Sequence, residues 1–329
     1  MWLFPPTIPK IIMDNRKDMN SQQPLVTILI NNYNYSNYIA EAIESALNQT
    51  YPNTEVIVVD DGSTDNSREI IANYKDTIIP LYKENGGQAS AINAGFALSK
   101  GQIVCLLDSD DVWMPEKVAK VVEMFNTYPK VAVVYHKVKN IDVARKEFGI
   151  PWPPYKPIRG NIAQKVAKTG GWWPFPPSTG LSFSREFLSK VMNVPEQEYR
   201  ICADTYLADL SPFCGDVVGI EEALSLYRVH GSNNWSNNTE EDAHTNRILQ
   251  YHETRASVLN RMLQNLGMNL KVSLAHHWPY QMIQYKQGKR KSLLSLTMLA
   301  VQNPWEPRLS SKLKTLTLLW FGGRTGARI

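Results

Sequence analysis

The sequence predicts an α/β fold: a doubly wound, mostly parallel sheet flanked by helices, with a C-terminal helical extension. Three observations carry this. Apolar, β-rich runs recur at helix-sized intervals through the first half. Amphipathic helical patterns lie between them. The first four runs each end in a polar cluster, as strands do where an open parallel sheet meets its ligand.

The runs are residues 25–30 (LVTILI), 55–59 (EVIVV), 78–82 (IIPLY), 103–107 (IVCLL) and 131–135 (VAVVY). Continuous Val, Ile and Leu suit strands buried on both faces. A first helix over 37–48 places Ile39, Ile43, Ala46 and Leu47 on one face. A second spans 65–74 behind a Ser63/Thr64 cap, and a third spans 89–98. The fourth spans 115–125 with Pro115 in its first turn, where the missing N–H costs nothing. Strand–helix alternation of this kind reads as a doubly wound domain. Residues 149–177 crowd proline with tryptophan and read as a loop-rich segment, too aromatic to stay solvated. Later strands are expected at 180–184 and 217–230, around a helix near 202–210. Beyond Glu240 only helices are expected, about 240–266, 271–288 and 290–302, with an amphipathic stretch over 309–321.

Composition narrows the function. The chain has 329 residues, 43% apolar and 20% charged, an ordinary globular balance rather than a disordered one. At that length a core forms without disulfide support. Cys105, Cys202 and Cys214 are too few and scattered for a disulfide framework or a four-thiolate zinc site, which points to a reducing compartment. No run of 18 apolar residues occurs, so no membrane-spanning helix is expected. Near the N-terminus Lys10 follows the apolar residues instead of preceding them, unlike a secretory signal; residues 1–23 read as a poorly ordered leader. Residues 260–329 hold eleven Lys and Arg against Glu306 alone, a net of +10, which from a chain total of +4 leaves −6 for the rest. A basic tail suits an anionic surface, whereas the acidic body lacks the basic patch of a nucleic-acid reader.

The chemistry collects at the strand ends. Asp108, Asp110 and Asp111 lie within four residues and repel one another when ionised. A hard divalent ion, Mn²⁺ or Mg²⁺, resolves that repulsion and leaves room for phosphates; a solvated helix N-terminus is the plain alternative. Asp60 and Asp61 end the second run, where a carboxylate can accept from a nucleobase N–H or a ribose hydroxyl. Gly86, Gly87 and Gln88 precede a helix whose free N–H groups can approach phosphate, though Gly-Gly is commonly only a turn. Asn31 and Tyr33 follow the first run.

The series VTILINNYN, EVIVVDDGSTD, NGGQASAINAGFALSKG and LLDSDDVWMP resembles glycosyltransferase family 2, and the likeness resumes at TGLSFSREFL, CADTYLADL and EEALSLYRVHGSN. The resemblance implies a GT-A type, Rossmann-like fold and an inverting transfer from a nucleotide-diphosphate sugar. It implies that Asn31 and Tyr33 hold the nucleoside and that Asp61, with Asp60 beside it, binds the base. Gly87 and Gln88 belong to the donor site. Asp108 and Asp110 are the metal-binding acids, Asp110 the more direct. Asp204 is the catalytic base, although the family's Glu-Asp pair is Ala203-Asp204 here. His230 nears the metal and diphosphate. The implied division is a catalytic domain over 24–238, with a nucleotide-sugar half (24–115) and an acceptor half (116–238), then a basic helical region over 239–329.

A UDP-sugar is the expected donor, and a saccharide or polyprenyl-linked hydroxyl the expected acceptor, in cell-surface polysaccharide synthesis. The expected location is cytoplasmic, peripheral on the cytosolic face of the inner membrane, through 260–329. A helix with basic clusters beside an apolar face suits anionic lipid, and a solvated charge run is the alternative. Trp152, Trp172, Trp173 and Phe175 either line an acceptor groove or fill core, with core favoured for at least half. Competing functions are a nucleotidyltransferase or phosphohydrolase with the same acidic site, and a non-catalytic nucleotide-sugar-binding module.

Overall fold

The computed structural model describes residues 23–231, 241–289 and 292–305, with positions 310, 312, 313 and 317. The leader over 1–22, the Arg290–Lys291 pair and most of 309–321 lie outside the described residues. The elements run β1 (Val26–Asn32), α1 (Ile39–Leu47), β2 (Thr54–Asp61), α2 (Ser67–Ala72), β3 (Ile79–Lys83), α3 (Gln88–Leu98), β4 (Ile103–Asp108) and β5 (Val112–Trp113). They continue α4 (Lys117–Thr127), β6 (Val131–Ile141), β7 (Glu147–Trp152), β8 (Arg159–Gly160), α5 (Ala163–Lys168), β9 (Leu181–Ser184), α6 (Arg185–Val191), α7 (Ala203–Cys214) and β10 (Asp216–Arg228). Three helices close the described chain: α8 (Glu241–Asn265), α9 (Trp278–Lys286) and α10 (Leu293–Gln302).

One sheet holds all ten strands, in the order β3-β2-β1-β4-β9-β6-β10-β5, with β7 on β6 and β8 on β10. Pairs β1–β2, β1–β4, β2–β3 and β6–β10 are parallel. Strand β9 is antiparallel to both β4 and β6. Two reversals restore direction, so β1, β2, β3, β4, β6 and β10 all point their carboxyl ends to one edge. Both sheet faces are covered, as the continuous apolar runs require. Leu29, Val59, Leu106 and Phe183 face one apolar cluster, and Ile28, Ile30, Val58 and Leu107 face the other. Helix α3 sits closest on the first face. A Cβ at Gly95 would lie 2.2 Å from Leu29 Cδ1, so any side chain there would force Leu29 to shift.

Several expectations change. Ser63 and Thr64 do not cap the second helix. Ser63 Oγ instead accepts from Asn34 N at 2.9 Å and Asn32 Nδ2 at 3.1 Å, tying two strand ends together. Asp65 Oδ1 takes the Ser67 N–H at 3.0 Å, and α2 starts two residues later than expected. Pro115 stands outside α4, ahead of its capping residue Glu116. The segment 149–177 contains most of β7, all of β8 and the short helix α5. Within 271–288 a short 3₁₀ turn, Leu274–His276, precedes α9.

The boundary expected at 238/239 does not separate two cores. Val258, Leu259 and Leu263 of α8, with Val272 and Trp305, join the apolar cluster of α7, Phe183 and Trp173. Trp173 is fully buried, and its indole N–H donates to Ala208 O at 3.1 Å. Trp172 and Phe175 pack partly buried against the same cluster, while Trp152 remains exposed. No helix among the described residues is long and apolar enough to cross a membrane.

Three buried histidines depend on neutrality. Burial, with Lys117 nearby, holds His136 down to about 3. Burial, with Arg255 nearby, holds His252 down to about 3. His277, whose ring lies 4.5 Å from that of His252, is pushed well below its ordinary value by burial and by His252 and Arg255. Their folded-state values lie below the unfolded value of 6.5, so the stabilisation from neutral burial is complete above 6.5. It is lost as pH falls below that, at a limiting rate on the order of 1 kcal/mol per histidine per pH unit. Thermal unfolding followed from pH 7.5 to pH 5 is expected to show a falling midpoint, with a shallower fall in His252→Gln. A wild-type midpoint flat over that range contradicts neutral burial.

Candidate active site

Register sets the site. Asn31 pairs with Asp108, Asn32 with Asp60, and Asp61 with Lys83, so the polar ends of β1, β2, β3 and β4 stand side by side. A cleft of about 890 Å³ opens over this edge. Its walls include Asn31, Tyr33, Asp61, Gly87, Gln88, Asp108, Asp110 and Asp204. Eight residues expected to act together from four strand ends and a distant helix therefore share one cavity.

The two acids of β2 have different jobs. Asp61 accepts Lys83 Nζ at 2.7 Å, Asn85 Nδ2 at 3.1 Å, Gly86 N at 2.9 Å and Gly87 N at 2.6 Å. It thereby shapes the glycine turn that starts α3. Gly87 has φ +90°, and a Cβ there would lie 2.5 Å from Arg200 O, so the turn and the 200–202 segment fit only around glycine. Asp60 is not part of the cleft wall. It is fully buried and accepts from Arg68 Nε at 2.7 Å, Asn32 Nδ2 at 3.0 Å and Ser63 N at 3.1 Å. Of the pair, Asp61 lines the cleft and Asp60, beside it, is occupied by protein partners.

The acidic loop after β4 is held from behind. Arg228, 2% exposed, donates from Nε to Asp110 O at 2.9 Å and from its backbone N–H to Asp111 Oδ1 at 2.8 Å. Its guanidinium also pairs with Glu41 of α1 and lies over the Tyr38 ring. Asp110 Oδ2 lies 3.0 Å from His230 Nε2. The His230 ring stacks on Tyr38 and meets Tyr35 edge-on. Burial, then the charge of Asp110, pushes Asp108 and Asp111 well above the ordinary carboxylate range. Burial and these same acids push the hydroxyls of Tyr35 and Tyr227 up.

Asp204 comes from the first turn of α7, behind a left-handed Cys202 with φ 60°. Burial raises its carboxyl, and hydrogen bonding from Ser178, hydrogen bonding from Thr205 and the charge of Arg255 act the other way. Helix α8 supplies a wall beside it. Tyr251 Oη donates to Thr205 Oγ1 at 2.7 Å, and Arg255 grips Asp209 through Nε (2.9 Å) and Nη2 (2.6 Å). Tyr251 and Arg255 both line the cleft.

The expected ligand set Asp108, Asp110 and His230 does not converge as a cage. Among the described residues no three His, Cys, Asp or Glu side chains form such a cluster. Hard ions of the Mg²⁺ and Mn²⁺ type commonly take one or two carboxylates and complete their shell with water and phosphate. Asp110 beside His230, the raised Asp108, and a buried Asp111 Oδ2 with no partner among the described residues make a donor set that fits such an ion.

Sequence reading missed Arg200, Arg228, Tyr251 and Arg255, which line the cleft or fix its loops. Arg228 lies two residues before His230 in YRVH, and no pattern marks it as buried. The α8 pair shows no signal because helical docking is not written in local spacing. None of Trp152, Trp172, Trp173 and Phe175 is part of the cleft wall; Trp173 is buried in the core, with Trp172 and Phe175 packed against it.

Comparison with known proteins gives the family and the fold. The profile of the family described as Glycosyl transferase family 2 matches residues 27–192. An uncharacterized glycosyltransferase of Nostoc sp. is 36% identical over 276 residues, covering 82% of this chain and 84% of its own. A chondroitin synthase of Pasteurella multocida is 39% identical over 137 residues, 40% of this chain but 14% of that protein. Among solved structures, S. aureus TarS 1-349 in complex with UDP-GlcNAc aligns at TM-score 0.55 and 17% identity, covering 89% of this chain and 85% of that one. The mannosyltransferase PcManGT of Pyrobaculum calidifontis, in complex with GDP-Man and Mn²⁺, aligns at 0.51 and 18%, covering 94% and 77%. These two show the shared fold. By profile and by kinship over about four-fifths of its length, the chain belongs to glycosyltransferase family 2 and is a glycosyltransferase.

Proposed function

We propose that the chain is an inverting, metal-dependent glycosyltransferase using a nucleotide-diphosphate sugar, with a UDP-sugar as the expected donor. The acceptor is a hydroxyl of a saccharide or lipid-linked saccharide, in cell-surface polysaccharide synthesis. The observation that carries this is that Asp204 shares one cleft with Asp61, Asp108 and Asp110. The nucleotidyltransferase, phosphohydrolase and non-catalytic readings give way to family membership. The UDP-GlcNAc and GDP-Man bound to structural neighbours, and the synthase relative, support the donor class and the polymer product.

In this reading Asn31 and Tyr33 hold the nucleoside, Asp61 meets the base, and the Gly87–Gln88 turn lies towards the phosphates. Asp204 accepts the proton of the acceptor hydroxyl, and burial poises it for that by raising it above a free carboxyl. A single base acting opposite a single leaving group makes one displacement, so the anomeric configuration inverts. Mn²⁺ or Mg²⁺, held by Asp110 with Asp108 and His230 beside it, would neutralise the departing diphosphate. Arg228 and Tyr38 fix Asp110 and His230 for that task.

The test is a donor screen reading out released nucleoside diphosphate, run with wild type and Asp204→Asn. The variant is expected to bind donor as wild type does and to lose transfer by 100-fold or more, about the contribution of a positioned base. Transfer at near wild-type rate removes Asp204 as the base. Because its carboxyl is raised, wild-type kcat is expected to climb with pH through an acid limb above the ordinary 3.8.

Membrane attachment is part of the same proposal. Leu294, Met298 and Val301 stand 64%, 55% and 49% exposed at i, i+4 and i+7 of α10, while Leu296 and Ala300 pack inward. Lys286 and Lys289 lie exposed just ahead of that helix. Apolar and basic groups together suit an anionic bilayer surface. Truncation before 260 is a poor test, since it also strips Leu263, Val272 and Trp305 from the core. Co-sedimentation with phosphatidylglycerol-containing vesicles is expected to exceed that with phosphatidylcholine alone. Replacing Leu294, Met298 and Val301 together by Gln is expected to reduce it; an unchanged yield sets this surface aside.

A further inference from the structure

The acids of the cleft pose a charge problem for an anionic donor. Asp61 is offset by Lys83, but Asp108, Asp110 and Asp204 face the same space. Two guanidinium groups line that space among the described residues, those of Arg200 and Arg255. Arg255 is committed: it is buried, and both its Nε and Nη2 are bound to Asp209. Arg200 is placed differently. It is exposed, forms no ion pair among the described residues, and its side chain bonds the neutral Asn85 Oδ1. A guanidinium carries five N–H donors, so this bond leaves most of them available.

Its position is built. Arg200 O accepts Gln88 N at 2.7 Å, and Ala203 N donates to Gln88 Oε1 at 2.9 Å, so the segment before α7 is stitched to the start of α3. The absent side chain of Gly87 makes room for Arg200 Cγ and O, each 2.5 Å from where a Cβ would lie. The glycine turn braced by Asp61 therefore carries the arginine stem, and the charge sits on the α3 side of the cleft, separate from the acidic loop after β4.

We propose that Arg200 binds the diphosphate of the donor and supplies a protein cation for it, complementary to the acidic loop on the other strand end. Guanidinium suits this because its planar donors match phosphate oxygens in pairs. The assignment rests on the donor class proposed above. It adds a residue that strand-end motifs do not reveal, and it explains why the turn before α3 excludes a side chain at Gly87.

The test compares uridine diphosphate with uridine by titration calorimetry in the presence of Mn²⁺, using wild type, Arg200→Gln and Arg200→Lys. The Gln variant is expected to bind the diphosphate roughly tenfold or more weakly, the scale of a charge-assisted contact, with uridine affinity within about twofold. The Lys variant, which keeps the charge, is expected to recover part of the loss. Equal weakening of both ligands means that Arg200 only holds the turn, and overturns the assignment; so does undiminished diphosphate binding, or a Lys variant no better than Gln. A wild type that binds neither UDP nor GDP nor dTDP overturns the donor reading itself, and this assignment with it.

Discussion

A buried guanidinium holds the chemical edge of this sheet in place. The acidic loop after β4 crowds three carboxylates into four residues, and left alone it would spread into solvent. Arg228 prevents that by binding the loop backbone at Asp110 and, through its own N–H, the Asp111 carboxylate. Glu41 then neutralises the arginine, and Arg145 after β6 pairs with Glu41 in turn. Arg228 is the buried member of this chain, whereas Glu41 and Arg145 reach solvent, so the cost of a break is concentrated at Arg228. The acidic loop is thus fixed from behind by hydrogen bonds to Arg228, while Asp108 and Asp110 line the cleft.

The second constraint comes from the C-terminal helices. Helix α8 is docked on α7 by the Arg255–Asp209 pair and by Tyr251 on Thr205, one residue from Asp204. The element carrying the proposed base is therefore clamped by residues far along the chain. Its neighbours His252 and His277 are buried neutral, so the clamp is secure at neutral pH and weakens in acid. The C-terminal helices, which look like an appendage in sequence, supply part of the cleft wall through Tyr251 and Arg255 of α8.

What was legible in the sequence follows from which forces are local. Burial on both faces writes continuous Val/Ile/Leu runs, so β1, β2 and β4 were readable to within two residues. Polar residues cannot stay in such runs, so the acids Asp61, Asp108 and Asp110 were readable as strand ends. Strand direction is not written locally, and β9 enters antiparallel between β4 and β6 without any mark in GLSFS. The distinction between Asp60 and Asp61 was equally hidden. Adjacent residues on a strand face opposite sides, and only the partners Arg68 and Lys83 reveal which acid faces the cleft. Arginine is ordinarily a surface residue, so the burial of Arg228 and Arg255 could be learned only from the packed structure.

The distribution of charge joins these levels. An acidic body would repel an anionic donor, yet Asp108, Asp110 and Asp204 line the same cleft as the guanidinium of Arg200. The basic surplus is carried instead by residues 260–329, where α10 turns Leu294, Met298 and Val301 outward. Segregation of this kind lets each surface select its own anion. In the proposed reading the cleft takes an anion whose charge is shared between a metal and an arginine, and the tail takes a broad anionic plane with an apolar interior. A protein of the same net charge with its lysines spread evenly would shield its own acids and attract polyanions everywhere; separation leaves the cleft acidic, as the proposed cation requires.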